Sequence, residues 1–141
     1  MATNSGHAQH GVTLSDARRV IESARLSAEA IGVAMNIAVV DEGNNLLAFE
    51  RMDGAWLGSI DIAQGKAYTA RSFNMSTKDL TPLCQPGQAL FGIQASNDGR
   101  LIIFPGGIPL MKDGNVVGAI GVSGGAVEQD HVVAEGGVKA F

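Results

Sequence analysis

The sequence predicts an α+β domain, an antiparallel sheet with helices packed on it, and three observations predict it. An apolar stripe at spacings of three and four runs from Leu14 to Ile31. Two pairs of β-rich runs are each joined by turn residues, Glu42-Gly43-Asn44-Asn45 in the first and Lys112-Asp113-Gly114-Asn115 in the second. The order helix, two strands, helix, loop, three strands, helix holds no βαβ alternation that would need a parallel sheet.

Taken in order, Met1–Val12 is small and polar and reads as a flexible leader, so a single domain spans Thr13–Phe141. Thr13-Leu14-Ser15-Asp16 matches a helix start, with the threonine oxygen facing early helical N–H groups and the carboxylate facing the positive helix end. Leu14, Ala17, Ile21, Ala24, Ala28 and Ile31 make the stripe, and Gly32 closes the helix. Met35–Asp41 and Leu46–Met52 form a hairpin ended by Asp53-Gly54. Leu57–Phe73 is the second helix, where Ile60, Ala63, Ala67 and Ala70 make a narrow face that lets it sit close to a sheet. Ser76–Leu80 is a short turn stopped by Pro82, and Cys84–Gly99 is loop with a short helix near Ala89–Ile93. Leu101–Phe104 is a short apolar strand broken by Pro105-Gly106-Gly107. Ile108–Met111 and Val116–Ser123 form the second hairpin, and Glu128–Phe141 is the closing helix.

At 141 residues the chain is long enough to bury a core without disulfides. Its net charge of −4, with no basic run, excludes a sequence-independent nucleic-acid binder. No apolar run approaches the roughly 18–20 residues of a membrane span, and no signal segment is present, so the expected location is cytoplasmic. Cys84 is alone, which removes disulfide frameworks, CxxC pairs and the C-x-x-C-H attachment motif. His7 and His10 fall in the leader, and with His131 they are too few for a Cys/His metal site.

Four places carry candidate chemistry. Arg51 offers a planar fork suited to a carboxylate, with Asp53 two residues on; a surface ion pair at a hairpin end is the bland reading. On the second helix, Lys66 borders the packed face beside Asp61 and Thr69, as a cation or nucleophilic amine, or as a snorkelling lysine. Phe104-Pro105-Gly106-Gly107 allows a ligand close to backbone N–H groups, or bends a strand. Ser123-Gly124-Gly125 precedes a helix start where anions bind, although Glu128 and Asp130 favour ordinary capping there. G-x-S-x-G, GxGxxG and the P-loop are all absent.

Val39–Gly54, then Ser59-Ile60-Asp61-Ile62-Ala63 with Lys66-Ala67 and Thr69-Ala70, resembles the GlcG/HbpS-like family of haem-binding proteins. So do Phe104–Pro109, Val117–Gly125 and Glu128-Gln129-Asp130, in order over nearly the whole chain. The resemblance implies a profilin-like fold with a five-stranded antiparallel sheet flanked by helices, and a homo-oligomer. It also relates the chain to the C-terminal domain of PduO-type corrinoid adenosyltransferases. Carried over by position, it implies a pocket of Arg51, Asp53, Lys66, Thr69, the Phe104–Gly107 segment and Glu128–Asp130. Haem is the cofactor it implies. No histidine lies in Leu14–Ile31 to serve as axial ligand, so haem would need a ligand such as Thr69, Tyr68, Met52 or a partner-chain residue, or would be held without strong ligation.

The leading expectation is therefore a binding protein for haem or another planar or carboxylated molecule. Arg51 and Lys66 would neutralise ligand carboxylates, and Gly106-Gly107 and Gly124-Gly125 would supply backbone donors, with Gln129 beside them. The alternative is an enzyme of isomerase, hydratase or deaminase type on a small carboxylated catabolite. There Arg51 anchors the substrate and Lys66, Asp53 or Asp130 moves a proton.

Overall fold

The computed structural model describes residues 11–141. Helix α1 spans Leu14–Ile31, strand β1 Asn36–Val40 and β2 Leu46–Arg51. Helix α2 is Gly58–Phe73 and α3 a single turn at Thr77–Leu80. Strands β3, Gly107–Lys112, and β4, Asn115–Ser123, lead into α4, Val127–Val138. The sheet runs in the order β2-β1-β4-β3 with every pair antiparallel. No helix among the described residues is long and apolar enough to cross a membrane.

The local signals act as their chemistry dictates. Thr13 Oγ1 accepts the Asp16 N–H at 3.0 Å while Asp16 Oδ2 accepts the Thr13 N–H at 2.9 Å, and Gly32 ends α1 at φ 73°. In the β3–β4 hairpin, Asp113 and Gly114 both take positive φ, 52° and 80°. That is the two-residue turn whose twist matches the flanking strands.

Alternation along the strands splits the core into two layers. Ile37, Ile120 and Val122 face α1 and α4 and pack with Val20, Ile21 and Val133. Val12 belongs to this layer; most of the expected leader, with His7 and His10, lies outside the described residues. Ala38, Val40 and Ala119 face the other way, onto Ala63, Ala67 and Ala70 of α2. The narrow face of α2 meets the sheet at Gly121, where a Cβ would stand 2.0 Å from the Ala63 carbonyl oxygen. Only a glycine allows that approach.

Two expectations need correction. The described residues carry four strands rather than five, and Leu101–Phe104 is not a strand. Its Ile102 N–H goes to Thr69 Oγ1 at 2.9 Å, so the segment crosses the outer side of α2 instead of joining a ladder. The short helix expected near Ala89–Ile93 is also absent. Single 3-10 turns at Ile93–Ala95 and Asn97–Gly99 take its place, because Gly92, Asn97, Asp98 and Gly99 all adopt positive φ.

Candidate functional site

Lys66 is completely buried on α2. Its ammonium donates to Asp130 Oδ2 at 2.8 Å and to the Val122 carbonyl at 2.9 Å, and the Phe104 ring covers it with its centroid 5.0 Å away. Gly106, at φ 134°, makes this passage possible: a Cβ there would lie 2.6 Å from Lys66 Nζ. Burial pushes the Lys66 amine below its ordinary range against the pull of Asp130. Burial likewise pushes the Asp130 carboxyl up, against the Lys66 charge and the amides of Gly125 and Gly124.

This cluster brings together many of the residues singled out from the sequence, and it engages them with one another. Gly125 donates its N–H to Asp130 Oδ1 at 2.9 Å, Gly107 to Thr77 Oγ1 at 2.9 Å, and Ala126 to Gln129 Oε1 at 2.9 Å. Amides expected to face a ligand therefore cap α4 and pin the segment before β3. Lys66 is neither solvated nor snorkelling; its charge is already compensated. Pro105 lies in the bend that precedes β3.

Other candidates lie apart. Arg51 is exposed at the end of β2 and makes no ion pair among the described residues. Strand pairing sets it in one row with Asn36 and Ser123, where Asn36 donates to the Trp56 carbonyl at 3.0 Å and its Oδ1 is buried without a partner. Asp53 and Glu128 are exposed. Met52 turns into the α1–α4 layer, its sulfur accepting the Met35 N–H at 3.3 Å. Thr69 is buried, donating to the Gly65 carbonyl at 2.7 Å while accepting from Ile102.

A cavity of about 440 Å³ opens on the outer side of α2, at the opposite end of the sheet from Arg51. Its apolar walls are Val40, Leu46, Ile62 and Ile102, and its polar side chains are Asp61, Gln64, Tyr68, Arg100 and Asn44. The Arg100 guanidinium lies over the Tyr68 ring, 4.3 Å from the centroid, and its Nε donates to the Asn97 carbonyl. Asn44, at φ 66°, donates to the Tyr68 carbonyl at 3.1 Å and to Ser72 Oγ at 2.9 Å. Its Oδ1 is buried with no partner. Gly65 makes room for the crossing segment: a Cβ there would meet Ile102 at 2.7 Å. An apolar pocket with a few convergent polar groups is the ordinary form of a small-molecule site. Sequence reasoning missed Arg100 and Asn44 because positions 44, 68 and 100 share no local spacing; only the turn residues before Arg100 hinted at a shaped loop.

Comparison with known proteins adds a frame. Residues 12–139 match the family model described as haem degrading protein, HbpS-like. A 15.0 kDa Citrobacter freundii protein of the dhaT-dhaS intergenic region is 42% identical over 92% of this chain and 92% of that one. The crystal structure of Klebsiella pneumoniae protein ORFY superposes with a TM-score of 0.90 at 42% identity, covering 92% of this chain and 90% of that one. The crystal structure of a PduOC:haem complex gives 0.89 at 32% identity, covering 93% and 95%.

Proposed function

Because the chain belongs to the HbpS-like family, we propose that it binds haem or another planar carboxylated molecule in the cavity beside α2. The cavity itself carries the reading: apolar walls for a flat ring system, and the Arg100 guanidinium at its edge for a carboxylate. The donor set suits the group, since Tyr68 lines the cavity and Arg100 has Nη atoms with no partner among the described residues. When bound, haem supplies the iron and its ligand chemistry; the protein supplies orientation, charge compensation and shielding from water. The PduOC:haem neighbour supports the choice of ligand class. We read the protein as cytoplasmic, in keeping with its buried free Cys84, and as a homo-oligomer, which would cover exposed Trp56, Leu57 and Phe91.

The enzyme alternative draws less from the geometry. Its proposed proton carriers, Lys66 and Asp130, are paired and sealed, while Arg51 and Asp53 stand on the surface. The two sheet ends, Asn36 and Val40 of β1, are about 13 Å apart at the usual rise of a strand, so ligand position is separable by mutation. Haemin titration of the purified protein should saturate with a Soret shift. Arg100→Gln should weaken binding about tenfold, as loss of one charge-assisted bond does, and Arg51→Ala should leave it unchanged. The reverse pattern would move the ligand to the Arg51 end, and unsaturable binding would end the haem reading.

A further inference from the structure

Resting on that reading, we infer that Tyr68 provides the protein's oxygen ligand to a ferric iron held in the α2 cavity. Asp61 also lines the cavity, as an exposed carboxylate, while the other candidate donors lie outside its lining. The Thr69 hydroxyl is buried and bonded on both sides, to Gly65 and Ile102. The Met52 sulfur accepts from Met35 and packs in the layer on the far face of the sheet. His131, the one histidine among the described residues, stands on α4 outside the cavity lining, its Nδ1 buried without a partner and its Nε2 3.5 Å from Glu135. Cys84 is buried, and burial pushes its thiol up, away from the thiolate that binds iron.

Tyr68 combines a place in the cavity with an orientation fixed by its neighbours. It lines the cavity, and its hydroxyl makes no hydrogen bond among the described residues. Its backbone is held from the hairpin by Asn44, and its ring is held by the stacked Arg100. Tyrosine is an established haem ligand, acting as the phenolate. As the Fe–O bond forms, the O–H bond breaks and the proton leaves to solvent through the open mouth of the cavity; no electron is transferred. The guanidinium over the ring then compensates the negative charge left on the oxygen. Asn44 and Arg100 are accordingly positioning residues, and only Tyr68 meets the metal.

The test uses two probes, ferric protoporphyrin IX and metal-free protoporphyrin IX, on the full chain and on Tyr68→Phe. Loss of an unbonded hydroxyl leaves the fold intact, which a thermal melt verifies. The wild-type ferric complex should show a visible phenolate-to-iron charge-transfer band. Tyr68→Phe should lose that band and bind the ferric probe about tenfold or more weakly, with the metal-free probe unaffected. Tyr68→His should exchange the band for an imidazole-type spectrum. An unchanged spectrum and affinity in Tyr68→Phe would overturn the assignment while leaving haem binding intact. Failure of both probes to saturate the wild type would remove the binding reading and this assignment with it.

Discussion

Lys66 and Asp130 meet at 2.8 Å from helices on opposite faces of the sheet, passing Gly106, whose missing side chain leaves room for the Lys66 ammonium. The pair joins the two layers at the end of β4 and is nearly inaccessible, at 0% and 2% side-chain exposure. Its chemistry is structural: both charges are answered within the fold.

Breaking that pair on one side is expected to be severe. Lys66→Met leaves a buried carboxylate with no cation, a loss of about 3–5 kcal/mol, whereas replacing both partners with apolar groups of similar volume is often neutral. Denaturant unfolding of Lys66→Met, Asp130→Leu and the double variant reads this directly. If the singles and the double are equally unstable, the pairing does not govern stability here.

The capping box gives a pH dependence. Burial alone would push the Asp16 carboxyl up, but the Thr13 amide, Arg19 and the Thr13 hydroxyl outweigh it and hold the carboxyl below its ordinary 3.8. A depressed carboxylate contributes stability that is present above 3.8 and lost as pH falls through its lower folded value. Thr13→Ala should therefore cost about 1 kcal/mol at neutral pH. Asp16→Asn should flatten the acid limb of a stability–pH curve. An acid limb identical to wild type would remove Asp16 from the account.

Gly121→Ala tests the contact between α2 and the sheet. The new methyl would lie 2.0 Å from the Ala63 oxygen and 2.4 Å from the Ala67 nitrogen, so the helix must lift. Overpacking of this kind costs about 1–3 kcal/mol, occasionally more. The cavity beside α2 should distort with it, so haemin affinity and melting temperature should fall together. A fall in neither would mean that the helix shifts freely.

Much of this fold was legible because its signals are local. Thr13, Asp16 and Gly32 bracket α1 by capping chemistry, and Asp113-Gly114 dictates its own turn. The alanine face of α2 announced a close approach, although its partner, Gly121, stood out only as one of several glycines. Leu101–Phe104 misled because a short apolar run is equally suited to a ladder or to lying across a helix; the Thr69 hydroxyl decides it. The candidate site was read less well. Lys66, Asp130 and the glycines stand out in the sequence, and what the structure gives them is contact with one another, Lys66 meeting Asp130 across 64 residues of chain. The cavity draws on the hairpin, α2 and the crossing segment, and no periodicity links them.

The segment before β3 has a consequence for local opening. Two threonine hydroxyls, Thr69 on Ile102 and Thr77 on Gly107, stand where amide ladders would otherwise run. Each such bond is worth about 0.5–1.5 kcal/mol net, and the buried Leu101 just before them adds about 1.5–3 kcal/mol. A domain as a whole is held by about 5–15 kcal/mol. Local opening of this wall is thus a smaller event than unfolding of the sheet. Opening of this segment releases two side-chain hydroxyls and the Gly106 carbonyl without breaking the sheet, an event separate from the unfolding of the domain.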